Sequence, residues 1–355
     1  MPPARTGVAA YSEALVRALR SHCEIAVNPA GDCDVDLYNI GNNLLHRPIY
    51  ERALARPGWV LLHDAVLQHY FLGLGDKAAY VGEFVYNYGE WHRGTAERLW
   101  DGRAASDGDP AYFRWPMLRR IVGKSHGVIV HNPGAGRAVE EHGGRRVMEL
   151  PHLFEAPGEP FGVVELRQRW GLGPDAFLFG VFGHLRQSKR LATSLRVFER
   201  LRRRDHRLWL LVAGQFVSPD LERALPLDGP GIIRIPYLAE NDFWRHAYAV
   251  DACINLRYPT AGETSGILIR LMGIGKPVIV TAGEEVTRMA EPSCLRVDPG
   301  SAEEEMLAAY MLWLSAHPVQ ARRIGRAAAE HIRAHHAPRL VASMLCSRIA
   351  DPVLA

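Results

Sequence analysis

The chain has 355 residues, 48% of them apolar and 23% charged, with a formal charge of +3; this is a globular composition, long enough for two domains with a core in each. So small a charge excludes nucleic acid as the expected partner, and residues 1–155, with 17 Lys/Arg against 18 Asp/Glu, offer no strongly electrostatic grip on a membrane. Five scattered cysteines without a Cys-x-x-Cys pair read as reduced thiols of a cytoplasmic protein, and no stretch has the pattern of a signal peptide or a membrane span.

In chain order, a helical pattern runs from about Val8 to Leu19. Cys23–Asn28, Val35–Ile40 and Trp59–His63 read as short strands, with a helix at Pro48–Ala55 before the third. Tyr80, Phe84, Tyr88 and Trp91 are spaced for one helical face, which reads as a core stripe; an aromatic platform for an acceptor is the sharper alternative. Gly127–His131 is a further strand, a helix follows Gly134, and Arg146–Leu150 closes the series. Residues 151–175, with several Pro and Gly, read as an interdomain linker. A second series opens at Phe177–Phe182 and continues with a helix near Leu191–Arg203. Strands at Leu208–Ala213, Ile232–Ile235, Ala252–Leu256 and Val278–Val280 follow, and Ala321–Ile349 is largely helical. Alternating strands and helices in both halves predict an α/β molecule, two doubly wound parallel sheets with a ligand cleft between them.

The stretch from Arg257 to Val280 packs a loop, a helix start, a short buried helix and a strand into two dozen residues. Glu263 precedes Thr264 and Ser265, both good caps, and Gly266 leaves the first-turn amides open. Unpaired N–H groups at the positive end of a helix dipole make an anion seat. A carboxylate beside it suits a ligand carrying both hydroxyls and phosphates, as a sugar nucleotide does. This stretch resembles the retaining glycosyltransferases of family four, the group 1 enzymes of GT-B fold. Arg270-Leu-Met-Gly-Ile-Gly-Lys-Pro-Val278 follows the second half of their signature, Glu-Ala-Met-Ala-x-Gly-x-Pro-Val. Gly183-His-Leu-Arg-Gln-Ser-Lys-Arg190 resembles their Gly-Arg-Leu-x-x-x-Lys-Gly loop, whose cations hold the donor diphosphate.

The resemblance implies two Rossmann-like domains, an acceptor domain at 1–155 that regains a C-terminal crossover helix at about 333–355, and a donor domain at 156–332. Gly183, His184, Arg186 and Lys189 would hold the diphosphate together with the amides of Thr264, Ser265 and Gly266. His184 stands where the family has Arg, and Arg186 supplies a nearby cation. His63, ending a strand, matches a histidine that faces the donor sugar; Asp64 beside it reads as an acceptor contact or a helix cap. Glu263 would take sugar hydroxyls. The second carboxylate of the family pattern is absent, its place falling on Arg270 or Leu271 according to alignment. Arg270 is assigned to ribose or phosphate, with a salt bridge to Glu263 as the structural alternative. Tyr237 and Leu238 would meet the base. Gly7 would approach the diphosphate or the acceptor, and Tyr11 and Asn42 would line the acceptor side. The family has a strand ahead of the Gly7 loop for which this sequence has almost no room, so the first sheet is expected to be one strand short.

The resulting expectation is a metal-independent, retaining glycosyltransferase of carbohydrate biosynthesis, a hexosyltransferase-type enzyme needing no cofactor. A nucleoside-diphosphate sugar is its donor, and a saccharide, lipid-linked or small-molecule hydroxyl its acceptor. It is expected in the cytoplasm, with peripheral contact at the inner membrane face left open. Three other readings compete: a sugar-nucleotide-binding partner subunit with little turnover, a bilobal solute receptor, and a sugar-nucleotide epimerase. Sixteen histidines without ligand spacing predict no metal site.

Overall fold

The computed structural model describes residues 7–349 apart from 30 and 160; residues 3–6 of the Gly7 loop lie outside the described residues. The first half runs α1 (Gly7–Leu19), β1 (Leu37–Ile40), α2 (Arg47–Ala55), β2 (Trp59–Leu62), α3 (Gln68–Gly73), α4 (Lys77–Tyr88), α5 (Arg93–Asp101), α6 (Arg119–Lys124), β3 (Gly127–Val130), α7 (Pro133–Glu141) and β4 (Val147–Glu149). The second half runs α8 (Val163–Arg169), β5 (Phe177–Phe182), α9 (Leu191–Arg202), β6 (Leu208–Ala213), α10 (Pro219–Ala224), β7 (Ile232–Ile235), α11 (Glu240–Ala249), β8 (Ala252–Asn255), α12 (Gly266–Gly273), β9 (Val278–Thr281) and β10 (Leu295–Val297). Three helices finish the described chain: α13 (Glu303–Ala316), α14 (Pro318–His335) and α15 (Pro338–Ile349).

Two parallel sheets result, one of four strands in the order β1-β2-β3-β4 and one of six in the order β10-β9-β8-β5-β6-β7. Both are covered on both faces, which explains their continuous apolar runs. In the first sheet, Val60, Leu62, Val128 and Val130 face the helices of residues 47–124, while Trp59, Leu61 and Ile129 face α1 and α15. The second sheet alternates in the same way, Phe177, Phe179 and Val181 to one side, Leu178 and Phe182 to the other. Val341, Ala342 and Leu345 of α15 share a core with Tyr11, Leu15 and Leu19 of α1, so the C-terminal helix packs on the first half. No helix among the described residues is long and apolar enough to cross a membrane.

Two expectations are corrected. Cys23–Asn28 is not a strand: Val27 is 46% exposed and the segment has no strand neighbour, so its alternation has no sheet face to bury. The aromatic stripe is core through Tyr80 and Phe84, but Trp91 is 99% exposed. Gly89, at φ 91°, ends α4 and turns the following residues off its face.

The site is positioned by strand order. From β5 the chain moves outward to β6 and β7, then returns to β8 on the other side of β5 and moves outward again to β9 and β10. The loops leaving β5 and β8 therefore diverge at a topological switch point, where open α/β sheets leave a crevice for ligands. Those two loops are Gly183–Arg190 and Arg257–Ser265.

Candidate functional site

The β5 loop turns at Gly183, whose φ of 91° a side chain would resist. Residues Gln187–Lys189 form a single 3-10 turn that brings Lys189 back over the strand end. Its Nζ donates to the Phe182 carbonyl at 2.5 Å. A Cβ built on Gly183 would lie 3.0 Å from that Nζ and 3.4 Å from Ile267 Cγ1. Gly183 thus lies between the Lys189 amine and Ile267 in the first turn of α12. Burial drives the Lys189 pKa well below the ordinary lysine range, Arg257 and Arg186 lower it further, and Glu263 opposes them. Arg186 and His184 are exposed on the same loop, while Arg190 turns away to Glu303 at 2.9 Å.

Across the crevice, Ser265 caps α12 by accepting from Leu268 N at 3.2 Å. The amides of Gly266 and Ile267 lie in the first turn, which helix geometry leaves without intrahelical acceptors. Glu263 accepts from Ala261 N at 2.9 Å, from Thr260 Oγ1 at 3.1 Å and from Arg257 Nη1. Burial pushes the Glu263 pKa up, but Arg257 and these hydrogen bonds outweigh it, and the carboxylate is held below its ordinary range. A cavity of ≈ 260 Å³ opens beside it, walled by Asn255, Arg257, Thr260, Glu263, Ser265 and Glu285; Lys189 and His63 are not in that wall.

The same loop is clamped to the first half. Val66 N donates to Ala261 O, and Asn132 Nδ2 donates to both Gly262 O and Thr264 Oγ1, each at 3.0 Å. The Thr264 hydroxyl donates to His131 O at 3.3 Å. Gly262, at φ 75°, approaches so closely that a Cβ there would lie 2.8 Å from Ala65 Cβ. Asp64, next to this contact, accepts from Asn42 N at 2.8 Å. Burial, then the charge of Glu263, raises its pKa to about 6, against the pull of Arg186 and Arg257.

His63 is buried in a wall of rings. Its centroid lies 5.0 Å from Tyr11 and 5.3 Å from His131, and Tyr11 also meets His152 at 4.6 Å. His63 Nε2 donates to Asn39 Oδ1 at 3.0 Å, which leaves Nδ1 as the acceptor of a neutral imidazole. Burial and the neighbouring histidines hold its pKa well below the ordinary value.

The structure therefore brings Gly183, Lys189, Glu263, Ser265 and Gly266 together, with Thr264 and Asp64 at the contact between halves and His63 directly before Asp64 in sequence. Other expected residues stand elsewhere. Tyr11 is a buried ring packed on His63, its hydroxyl without a partner among the described residues, rather than a surface facing an acceptor. Asn42 holds the start of α3, accepting from Tyr70 N at 2.9 Å and contacting His69 at 3.2 Å. Arg270 pairs with Glu240 and lies over the rings of Phe243 (3.9 Å) and Trp244 (4.2 Å). Because α12 begins at Gly266, Glu263 lies outside it, and the alternative Glu263–Arg270 bridge gives way to Glu263–Arg257. Tyr237 is 53% exposed just after β7, with Leu238 partly buried against the second core.

Sequence reading missed Arg257, Asn132 and His131. The last carried a legible signal, a histidine directly after strand β3 just as His63 follows β2.

No protein-family model matches the sequence, and no curated protein matches it. Among solved structures, HepE of Anabaena in complex with UDP-glucose aligns with a TM-score of 0.59 at 14% identity, covering 86% of this chain and 81% of HepE. Sucrose-phosphate synthase of Thermosynechococcus elongatus aligns with a TM-score of 0.58 at 15% identity, covering 88% and 72%. At such identities the likeness is one of architecture: the chain has the GT-B fold of these glycosyltransferases.

Proposed function

We propose that the protein is a glycosyltransferase moving a sugar from a nucleoside-diphosphate sugar to an acceptor hydroxyl, with retention and without a metal. The observation that carries this is the approach of the Lys189 loop, at Gly183, to the first turn of α12, with ionised Glu263 within electrostatic reach of the amine, at the switch point of the second sheet. A pyrophosphate seated there would face first-turn amides on one side and Lys189 and Arg186 on the other. Preorganised donors of this kind stabilise the charge that develops on a departing diphosphate. Glu263 would accept from sugar hydroxyls, and neutral His63 would meet the sugar from the first half. Attack would come on the face the diphosphate leaves, a donor phosphate oxygen taking the acceptor proton, so no protein nucleophile is needed. In this assignment residues 156–332 hold the donor, and residues 1–155 with the returning C-terminal helix offer the acceptor. The protein would work in the cytoplasm, with carbohydrate biosynthesis as its setting.

HepE was solved with UDP-glucose, which makes that compound the first donor to try. A thermal-shift series with UDP-, GDP-, ADP- and dTDP-sugars tests the donor site, because a ligand that binds only the native state raises its melting temperature. No shift with any of them removes the proposal. Nucleotide release that depends on an added acceptor, with the anomeric configuration of the product, tests transfer and retention. One observation favours a sugar-nucleotide-binding subunit with little turnover: Leu271, at one of the two positions for the second carboxylate, is 1% exposed in the core. Donor binding without turnover across an acceptor panel would select it.

A further inference from the structure

We propose that Arg257 is a positioning residue of the donor site: its guanidinium ties the Glu263 carboxylate to the capping hydroxyl of Ser265, so that sugar recognition and diphosphate recognition are held as one rigid unit. This rests on the glycosyl-transfer reading above and names a residue which that reading does not use.

Arg257 is the second residue after β8, and its own amide donates to Thr281 Oγ1 at the end of β9 at 2.9 Å, so its backbone is pinned across two strands. One arm of the fork, Nη1, meets Glu263 Oε1; the other, Nη2, donates to Ser265 Oγ at 3.0 Å. The planar guanidinium holds both acceptors at a set separation, which an ammonium cannot do. Ser265 Oγ also receives Leu268 N at 3.2 Å and Asn255 Nδ2 at 3.1 Å. A hydroxyl oxygen has two lone pairs, so these three donors leave Ser265 nothing with which to accept from a ligand. Its part is to fix the helix start, and Arg257 links that start to Glu263. The charges facing Arg257 fit this role. Glu263 is its ion pair, while Lys189, Asp64 and Glu285 respond to its charge. Without it, Glu263 would lie buried with the Lys189 amine beside it, and Asp64 would keep only the pull of Arg186.

The test is calorimetric binding of UDP-glucose and of inorganic pyrophosphate to the wild type, Arg257→Lys, Arg257→Ala and Glu263→Gln, with melting temperatures alongside. Arg257→Ala is expected to weaken UDP-glucose binding about a hundredfold, and Arg257→Lys to recover about tenfold of that. The acid limb of binding against pH is expected to move upward in Arg257→Ala, because Glu263 loses the cation that holds its pKa down, and to stay in place in Arg257→Lys. Adding Glu263→Gln to Arg257→Ala is expected to cost less than the sum of the two, as for groups acting as a unit. If Arg257→Ala does not fold, the same comparison is read from Arg257→Lys, which is expected to bind about tenfold more weakly than the wild type at an unmoved acid limb. Wild-type binding with unchanged affinity and pH limb in the folded variants overturns the role of Arg257 alone. A wild type that binds neither probe overturns the glycosyl-transfer reading as well.

Discussion

The two walls of the crevice use different chemistry. The second half presents the charged groups Arg186, Arg257 and Glu263 with the buried Lys189 amine among them, held within each other's electrostatic reach at the ends of β5 and β8. The first half presents neutral rings, His63, His131 and His152 around Tyr11, each imidazole kept uncharged by burial. Burial acts on both walls, but at Glu263 the charge of Arg257 opposes it and at the ring histidines no counter-charge does, so Glu263 stays ionised while the histidines do not. An ionic wall stabilises charge that appears during a reaction. A neutral wall orients hydroxyls and excludes water without competing for the phosphate. The difference assigns the steep energetic dependence to the second half, and it is there that substitution is expected to act most strongly.

The largest effect is expected at Lys189. Lys189→Ala should lower transfer at least about a hundredfold, about 2.7 kcal/mol of lost charge stabilisation, as read from initial rates of nucleotide release. The wild type adds a signature of its own. With its pKa held low in the empty site, Lys189 should take up a proton when a diphosphate arrives, because a neighbouring anion favours the charged form. Calorimetry of UDP binding in buffers of different ionisation enthalpy measures that uptake. Near-normal turnover in Lys189→Ala, with no proton uptake in the wild type, would erase the contrast between the walls.

On the neutral wall, His63→Ala should lower kcat/KM about tenfold, on the order of one hydrogen bond to an uncharged partner. No loss of wild-type rate near pH 6.5 should trace to His63, which has no proton to gain there; a change in that range that persists in His63→Ala belongs to Asp64, raised to about 6. A loss of rate centred near 6.5 that disappears in His63→Ala would make this imidazole an ordinary titrating group.

The same burial makes a stability prediction. His131 and His336 have native pKa values of about 4, below the unfolded value near 6.5. Between those limits the unfolded chain binds the protons first, so the stability present above pH 6.5 is lost as pH falls toward 4. His336 Nδ1 donates to His152 O at 2.6 Å just before α15, so the loss falls on the packing of that helix as well as on the ring wall. Melting temperatures measured from pH 7.5 to 4.5 should fall across this window. His131→Gln should flatten the slope, and an unchanged slope would relieve His131 of this role.

Those contrasts also show what was legible in the sequence. Strands β5 to β9 and the glycines at 183 and 266 could be read because each signal is local: an apolar run, a residue that tolerates an unusual turn, a cap before a helix. Lys189 and Glu263 were legible through the loops that carry them. The partners that set their charge were not. Asn132 reaches Gly262 and Thr264 from the other half of the chain, and Tyr11, His63, His131 and His152 meet only because parallel register aligns the ends of β2 and β3. Spacing along the chain contains none of that. Where local pattern was trusted without a partner, at Cys23–Asn28, it failed, because alternation makes a strand only beside another strand.

The smallest effect is expected at Arg270, where sequence alignment and structure part most clearly. Position alone would give it ribose or phosphate, since it stands where the family pattern has a carboxylate. In the fold its guanidinium lies over Phe243 and Trp244 and pairs with Glu240. Burial lowers its pKa against the pull of Glu240, as for a group placed for packing at the α11–α12 contact. Arg270→Met keeps the apolar contact and removes the charge; it should leave kcat/KM for UDP-glucose within about twofold, as a contact remote from the reacting charge would. The melting temperature should fall by a few degrees, about 1 kcal/mol for a cation–π contact and a half-exposed ion pair. A loss as large as that of Lys189→Ala would mean that Arg270 leaves Glu240 when the donor binds, and would extend the ionic wall from the α12 start along the helix toward Tyr237.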